Sequence, residues 1–244
     1  MRFLLYNIRY GTGRRTRWAW LHVLTPTGVH LPEIGRFIRE TEADVVGLVE
    51  VDSGSYRSGR RNQAEVLAAE IGHYHSYRMK YREDGGLGRL LPVLNKQANA
   101  FLTRDAIRRE TFHEFSGGFK RLVIELELES ANLFLVHLAL RFRTRHGQLA
   151  ELHDLIARST KPCIVAGDFN ILFGPRELRL FLKATGLKSA NAEHAPTYPS
   201  WRPRRELDFV CYSPQLVLRR FEAPPVTLSD HLPLICDFDL PAPA

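Results

Sequence analysis

Two periods alternate along the chain. Short apolar runs that end in a polar residue read as buried strands, and stretches with apolar residues every three or four positions read as amphipathic helices. Residues 3–8 predict a first strand with Asn7 near its end. A helix follows over 32–42, with Ile34, Phe37 and Ile38 on one face and Pro32 at its start. The run 43–51 is a second strand that carries Glu50 among apolar neighbours, where a carboxylate is costly unless paired or metal-bound. Asn62 caps a helix bearing Leu67 and Ile71 that Gly72 ends. The stretch 73–95, with Gly85, Gly86 and Gly88 among mixed charges, reads as loop. Strands are expected at 98–103, at 121–129, where strict alternation leaves one wet face, and at 131–138, which ends on His137. A helix over 148–159 leads into the strand 162–170, closed by Gly167, Asp168, Phe169 and Asn170. Pro175 opens a last helix that Gly186 stops, and strands at 207–212 and 232–238 complete the pattern. Strands and helices are interspersed without repeats or linkers, so a single domain over 1–244 is expected.

The polar residues that interrupt this pattern have their own regularity. Asn7, Glu50, His137, Asp168 and Asn170 close strands, whereas Asp208 and the pair Asp230-His231 open them. In a mixed sheet the ends of some strands neighbour the starts of antiparallel ones, so both sets can share one rim. Carboxylate and amide oxygens are the hard ligands that Mg²⁺ prefers. Two histidines suit acid-base work near neutral pH. Together they read as metal-assisted hydrolysis of a phosphoester; ordinary turn residues at strand ends are the competing interpretation.

Composition narrows the partners. Among 244 residues, 34 Lys and Arg stand against 27 Asp and Glu, a formal charge of +7 that favours nucleic acid, phospholipid head groups or phosphorylated metabolites. Basic residues cluster after the polar strand ends: Arg9, Arg14, Arg15 and Arg17; Arg57, Arg60 and Arg61; Arg141, Arg143 and Arg145; and Arg202, Arg204 and Arg205 before Asp208. Trp18 and Trp20 suit a lid, base stacking or a lipid interface. Three unevenly spaced cysteines, Cys163, Cys211 and Cys236, argue against a disulfide framework or a zinc site. No apolar run has the length of a signal core or a membrane span, so a cytoplasmic protein is expected.

Seven short motifs then occur in order: Tyr6-Asn7, Val49-Glu50-Val51, Asn99-Ala100-Phe101-Leu102, Val136-His137-Leu138, Gly167-Asp168-Phe169-Asn170, Leu207-Asp208-Phe209-Val210 and Ser229-Asp230-His231. The ordered set resembles the endonuclease/exonuclease/phosphatase superfamily. That resemblance implies a four-layer α/β sandwich, two central mixed β-sheets flanked by helices, with the site at one edge. It implies Glu50 as ligand of Mg²⁺, or of Mn²⁺ in its place, with Asn7 and Asp230 nearby. Asp168 orients or deprotonates the attacking water, Asn170 holds a phosphate oxygen, and Asp208 positions His231 as base or phosphate-polarising group. His137 stabilises the transition state or protonates the leaving oxygen. From the basic clusters, Arg141 and Arg143 are expected to bind substrate, together with Asn99. The chain departs from the family pattern at Val49, Lys96, Gln97 and Ala98. The expected activity is a phosphodiesterase on nucleic acid. The alternatives are a phospholipid or sphingomyelin-type diesterase, a small-molecule phosphatase, and a non-catalytic nucleic-acid-binding protein.

Overall fold

Alternating side chains make each strand two-faced, and most strands of this chain are apolar on both faces, which forces them into the middle of a layered structure. The computed structural model describes residues 1–13, 27–79, 96–172, 174 and 176–241. Its elements run β1 (Arg2–Asn7), α1 (Leu31–Thr41), β2 (Val45–Asp52), α2 (Gln63–Ile71), β3 (Tyr74–Met79), β4 (Gln97–Thr103), β5 (Arg109–Glu114), β6 (Leu122–Glu127), β7 (Asn132–His137), α3 (Phe142–Ala157), β8 (Cys163–Asp168), α4 (Arg176–Thr185), β9 (Lys188–Ser189), β10 (Asp208–Tyr212), β11 (Val217–Glu222) and β12 (Leu234–Asp239). They form two six-stranded sheets, ordered β11-β12-β1-β2-β4-β3 and β5-β6-β7-β8-β10-β9. Each sheet contains one parallel pair joined through a helix, β1-α1-β2 and β7-α3-β8, among antiparallel neighbours.

One face of each sheet meets the other sheet. Phe3, Leu5, Phe101, Leu122, Ile124, Leu133, Leu135, Ile164, Ala166 and Val210 interdigitate there as a dry central layer. The opposite face of the first sheet packs Leu4, Val46, Leu48 and Ala100 under α1 and α2. That of the second packs Val136, Val165 and Phe209 under α3 and α4. This is the four-layer α/β sandwich expected above.

Continuing the central layer by two residues along each strand explains the site. Phe3-Leu5 leads to Asn7, Phe101 to Asn99, Leu122 back to Lys120, Leu133-Leu135 to His137, Ile164-Ala166 to Asp168, and Val210 back to Asp208. The apolar layer therefore ends in a polar one at a single edge. The carboxyl ends of the parallel strands open there, the usual place for ligands in α/β sheets.

The secondary structure differs from expectation in particular places. Part of the stretch read as loop is β3, and residues 80–95 lie outside the described residues, as do Arg14, Arg15, Arg17, Trp18, Trp20 and Pro175. β5 and β11 were not apparent in the sequence. Together with β3 and β9 they are the four sheet edges, where an open side removes the demand for apolar alternation. α3 begins six residues before the expected start at 148. In its first turns the inward residue is Arg145 and the outward one is Phe142, so apolar periodicity is lost there. Among the described residues no helix is long and apolar enough to cross a membrane.

Arg145 is completely buried. Its Nε bonds Glu177 Oε1 at 2.5 Å, and its Nη1 donates to the Ala139 and Leu140 carbonyls at 2.8 and 2.7 Å. Arg57 is buried too, 3.7 Å from Asp52 and over the Tyr10 ring. Both were expected on a basic rim and instead tie loops to the core. Removing one partner of a buried pair strands the other's charge. Glu177→Leu is expected to cost about 3–5 kcal/mol in urea unfolding, with most of the loss recovered in Arg145→Met/Glu177→Leu; equal stabilities for the single and double variants would contradict the pairing.

Candidate active site

Backbone geometry aims the polar layer. β2 pairs Leu48 with Ala100 and then Val51 with Ala98, so it carries one extra residue, a bulge at Val49-Glu50 with Glu50 at φ 58°. In a regular strand Glu50 would point outward with Leu48; the bulge turns its Oε1 to 3.9 Å from His137 Nε2 on the other sheet. Gly167 has φ 151°, and a Cβ there would be driven into the Val136 carbonyl, so only glycine lets β8 bring Asp168 level with His137. After Asn7, Arg9 and Tyr10 take left-handed conformations (φ 46° and 57°), strain of the kind found at functional sites.

Asp168, 3 % exposed, joins the sheets. Its Oδ2 accepts from Asn7 Nδ2 at 3.3 Å and lies 3.3 Å from His137 Nε2, while its Oδ1 accepts from the Asn170 N–H at 3.0 Å. Asn170 is left-handed (φ 51°), and one of its amide hydrogens goes to the Leu138 carbonyl at 2.9 Å. Lys120 Nζ contacts His137 Nε2. Asp208 Oδ2 accepts from Thr197 Oγ1 at 2.6 Å and pairs with His231 Nδ1 at 2.8 Å, and the Tyr198 ring tilts over His231. Asp230 lies 3.3 Å from Arg9 Nε.

These neighbours set the charges. Burial would raise the Asp168 carboxyl, but the hydrogen bond from His137 and the positive charges of His137, His231 and Lys120 outweigh it, holding Asp168 well below the usual carboxylate range. Burial would lower His231; the carboxylates of Asp208, Asp168 and Asp230 overcome it and push the imidazole up to about 10. At neutral pH the pair is therefore an ionised Asp168 beside an imidazolium. The Asp230 carboxyl is raised, first by burial and further by Glu50, against the pull of His231 and Arg9.

Two donor sets present themselves for a divalent cation. Ligand atoms of Asp168, Asp208 and His231 lie within 4.8 Å of one another. Asp208 Oδ2 already accepts from Thr197 and pairs with His231, leaving only its Oδ1 unpartnered, and a protonated imidazole offers no lone pair, so Asp208 and His231 form a hydrogen-bonded pair rather than two arms of a chelate. Glu50 and Asp230, whose charges repel, together with the Asn7 amide oxygen, are the hard-oxygen donors a Mg²⁺-like ion requires. The Asn7 oxygen accepts the Arg9 N–H at 3.1 Å, which fixes its direction.

The structure thus brings together Asn7, Glu50, His137, Asp168, Asn170, Asp208, Asp230 and His231. Asn99 stands in the same layer opposite the Glu50 bulge, fully buried, with neither amide atom hydrogen-bonded. Arg141 and Arg143 are exposed at the start of α3. Lys120, Thr197 and Arg9's pairing with Asp230 were missed. Lys120 was within reach, since the alternation of Leu126, Ile124 and Leu122 extends back to it; Thr197 lies in an irregular loop with no periodic signal. A cavity of about 330 Å³ lined by Arg109, His113, Glu125 and Asn132 lies at the opposite end of the second sheet and contributes none of these groups.

An endonuclease/exonuclease/phosphatase from Beutenbergia cavernae superposes with TM-score 0.75 at 19% identity, over 99% of this chain and 72% of that one. A mannosyl-6-phosphatase from Bacteroides thetaiotaomicron gives 0.73 at 13% identity, covering 98% and 100%. ANGEL2, a 2′,3′-cyclic phosphatase in complex with adenosine-2′,3′-vanadate, gives 0.67 at 17% identity, covering 98% and 95%. No match is found among curated protein sequences. The profile of the Endonuclease/Exonuclease/phosphatase family matches residues 4–231, and the chain belongs to that family of phosphoester hydrolases.

Proposed function

We propose that the protein is a Mg²⁺-dependent phosphodiesterase acting on nucleic acid, with Mn²⁺ as a substitute ion and residues 1–244 as one catalytic domain. The observation that carries the chemistry is the buried opposition of charges at one edge: an ionised Asp168 beside the imidazolium of His231 and the ammonium of Lys120. The basic surface and the adenosine ligand of one structural neighbour support the nucleic-acid substrate. Three buried free cysteines fit a reducing, cytoplasmic setting.

Asp168 accepts the proton of a water aligned with the scissile P–O bond. The two cations, with the remaining N–H of Asn170, bind the non-bridging oxygens where negative charge grows. Asp208 holds the ring of His231 through Nδ1 and leaves Nε2–H to face the substrate. His137, flanked by Asp168 and Lys120, stands beside the departing oxygen. Glu50, Asn7 and Asp230 would hold the divalent cation, which supplies Lewis-acid stabilisation of the phosphoryl charge. Arg141 and Arg143 hold flanking phosphates, whereas Asn99, expected as a further contact, is fully buried at the Glu50 bulge.

In steady-state assays on bis(p-nitrophenyl) phosphate with Mg²⁺ or Mn²⁺, Asp168→Asn is expected to lower kcat by about 10²–10⁴ with little change in KM. His231→Gln is expected to lower it by about 10²–10³; full activity in either variant contradicts the assignment. A preference for p-nitrophenyl phosphate over the diester would identify a phosphomonoesterase instead.

His231 also makes folding pH-dependent. Its pKa is higher folded, about 10, than the ordinary 6.5. Its contribution to stability is therefore complete below pH 6.5 and is lost as pH rises toward 10. With chelator present, the melting temperature is expected to fall across that window, and His231→Gln to flatten the fall; parallel curves would contradict the imidazolium.

A further inference from the structure

Large apolar side chains are rarely left exposed without a reason when they gather around one site. Among the described residues, four segments at the polar layer each expose an aromatic ring close in the chain to basic residues. The loop after β2 presents Tyr56, 54 % exposed, with Arg60 and Arg61. The β5–β6 loop presents Phe119, 83 % exposed, next to Lys120 and Arg121. The first turn of α3 presents Phe142 between Arg141 and Arg143. The loop that carries Tyr198 over His231 presents Trp201 beside Arg202, Arg204 and Arg205.

These loops are braced from beneath. Gln148, 1 % exposed, accepts the Ala139 N–H and donates to the Gly117 and Lys120 carbonyls, clamping the β5–β6 loop to the turn after β7. Arg145 fixes the same turn through the Ala139 and Leu140 carbonyls. Ser200 binds the Asp230 and Ser229 carbonyls, which ties the Trp201 loop to the strand entry that bears His231. Rings presented on braced loops lose little freedom when a ligand covers them.

We propose that Phe119, Phe142, Trp201 and Tyr56, with the arginines between them, form a track for single-stranded nucleic acid that threads the scissile phosphate between His137 and His231. This rests on the phosphodiesterase reading and adds the strandedness of the substrate. A single strand alternates a flat base with an anionic phosphate, and each of these exposed rings has basic residues close to it in the chain. A duplex hides its base faces and has no use for such rings. A bilayer favours a contiguous apolar patch ringed by cations, whereas here the aromatic side chains stand on four separate segments, each with basic residues beside it in the chain, and Leu140 is an exposed aliphatic residue close to Phe142 in sequence.

The test measures fluorescence anisotropy of a labelled single-stranded oligonucleotide and its matching duplex in chelator, with thermal melting as the check on folding. Phe119→Leu and Trp201→Leu keep the apolar bulk and remove the ring. Each is expected to weaken single-strand binding by about 5- to 100-fold and to leave duplex binding largely intact, while Phe119→Trp retains wild-type affinity. Arg143→Ala is expected to weaken binding and reduce the salt slope by about one. Single-strand binding unchanged in both leucine variants overturns the track. So does stronger wild-type binding to phosphatidylcholine–phosphatidylserine vesicles that the leucine variants retain, which would make the surface a lipid face. Wild-type turnover of bis(p-nitrophenyl) phosphate without oligonucleotide binding overturns the track and leaves the chemistry standing. Oligonucleotide binding lost in the leucine variants, with no diester hydrolysed, supports the track and overturns the chemistry.

Discussion

A charge buried between two β-sheets survives only if the facing sheet supplies its partner, and this requirement organises the molecule. The central layer is apolar through most of its depth, and polar groups enter at its last level, where the charged ones are answered from across the gap or from a loop folded over it and the Asn99 amide is left without a partner. Asn7 of the first sheet donates to Asp168 of the second, and Glu50 of the first faces His137 of the second. Asp208 is held by Thr197 and His231 from loops. An unpaired carboxylate at this depth would take up a proton or exclude the fold. The packing of the sheets and the ionisation of the site are therefore one problem with one solution.

The backbone carries part of that solution. An extra residue at Val49-Glu50 reverses the direction of a carboxylate that strand geometry would have sent outward, and Gly167 allows an approach to Val136 that no side chain permits. Left-handed Arg9, Glu50 and Asn170 lie in the site. Concentrating strain there is consistent with an edge whose groups are fixed before substrate arrives.

The same economy extends outward. Gln148 and Arg145 lie on one face of α3 and are buried for the sake of loop carbonyls, so a helix that covers the second sheet also shapes the rim of the site. That dual duty is why α3 looks irregular in sequence. Its inward positions near the start are polar because they serve backbone rather than core.

The sequence by itself determined the central strands, four helices in outline, the family, and most of the polar constellation, though not Lys120 or Thr197. Buried strands must be apolar, and a polar residue at their ends stands out against that background. It did not reveal the edge strands β3, β5, β9 and β11, since a strand with one open side has no need of alternation. Nor did it separate Arg145 and Arg57, turned inward to carboxylates, from Arg141 and Arg143, which face solvent: an arginine's direction depends on what lies beneath it. Lys120 against His137, the imidazolium state of His231 and the reversal of Glu50 were decided only by tertiary structure. Each depends on a distance between two sheets that the order of residues along the chain does not encode locally.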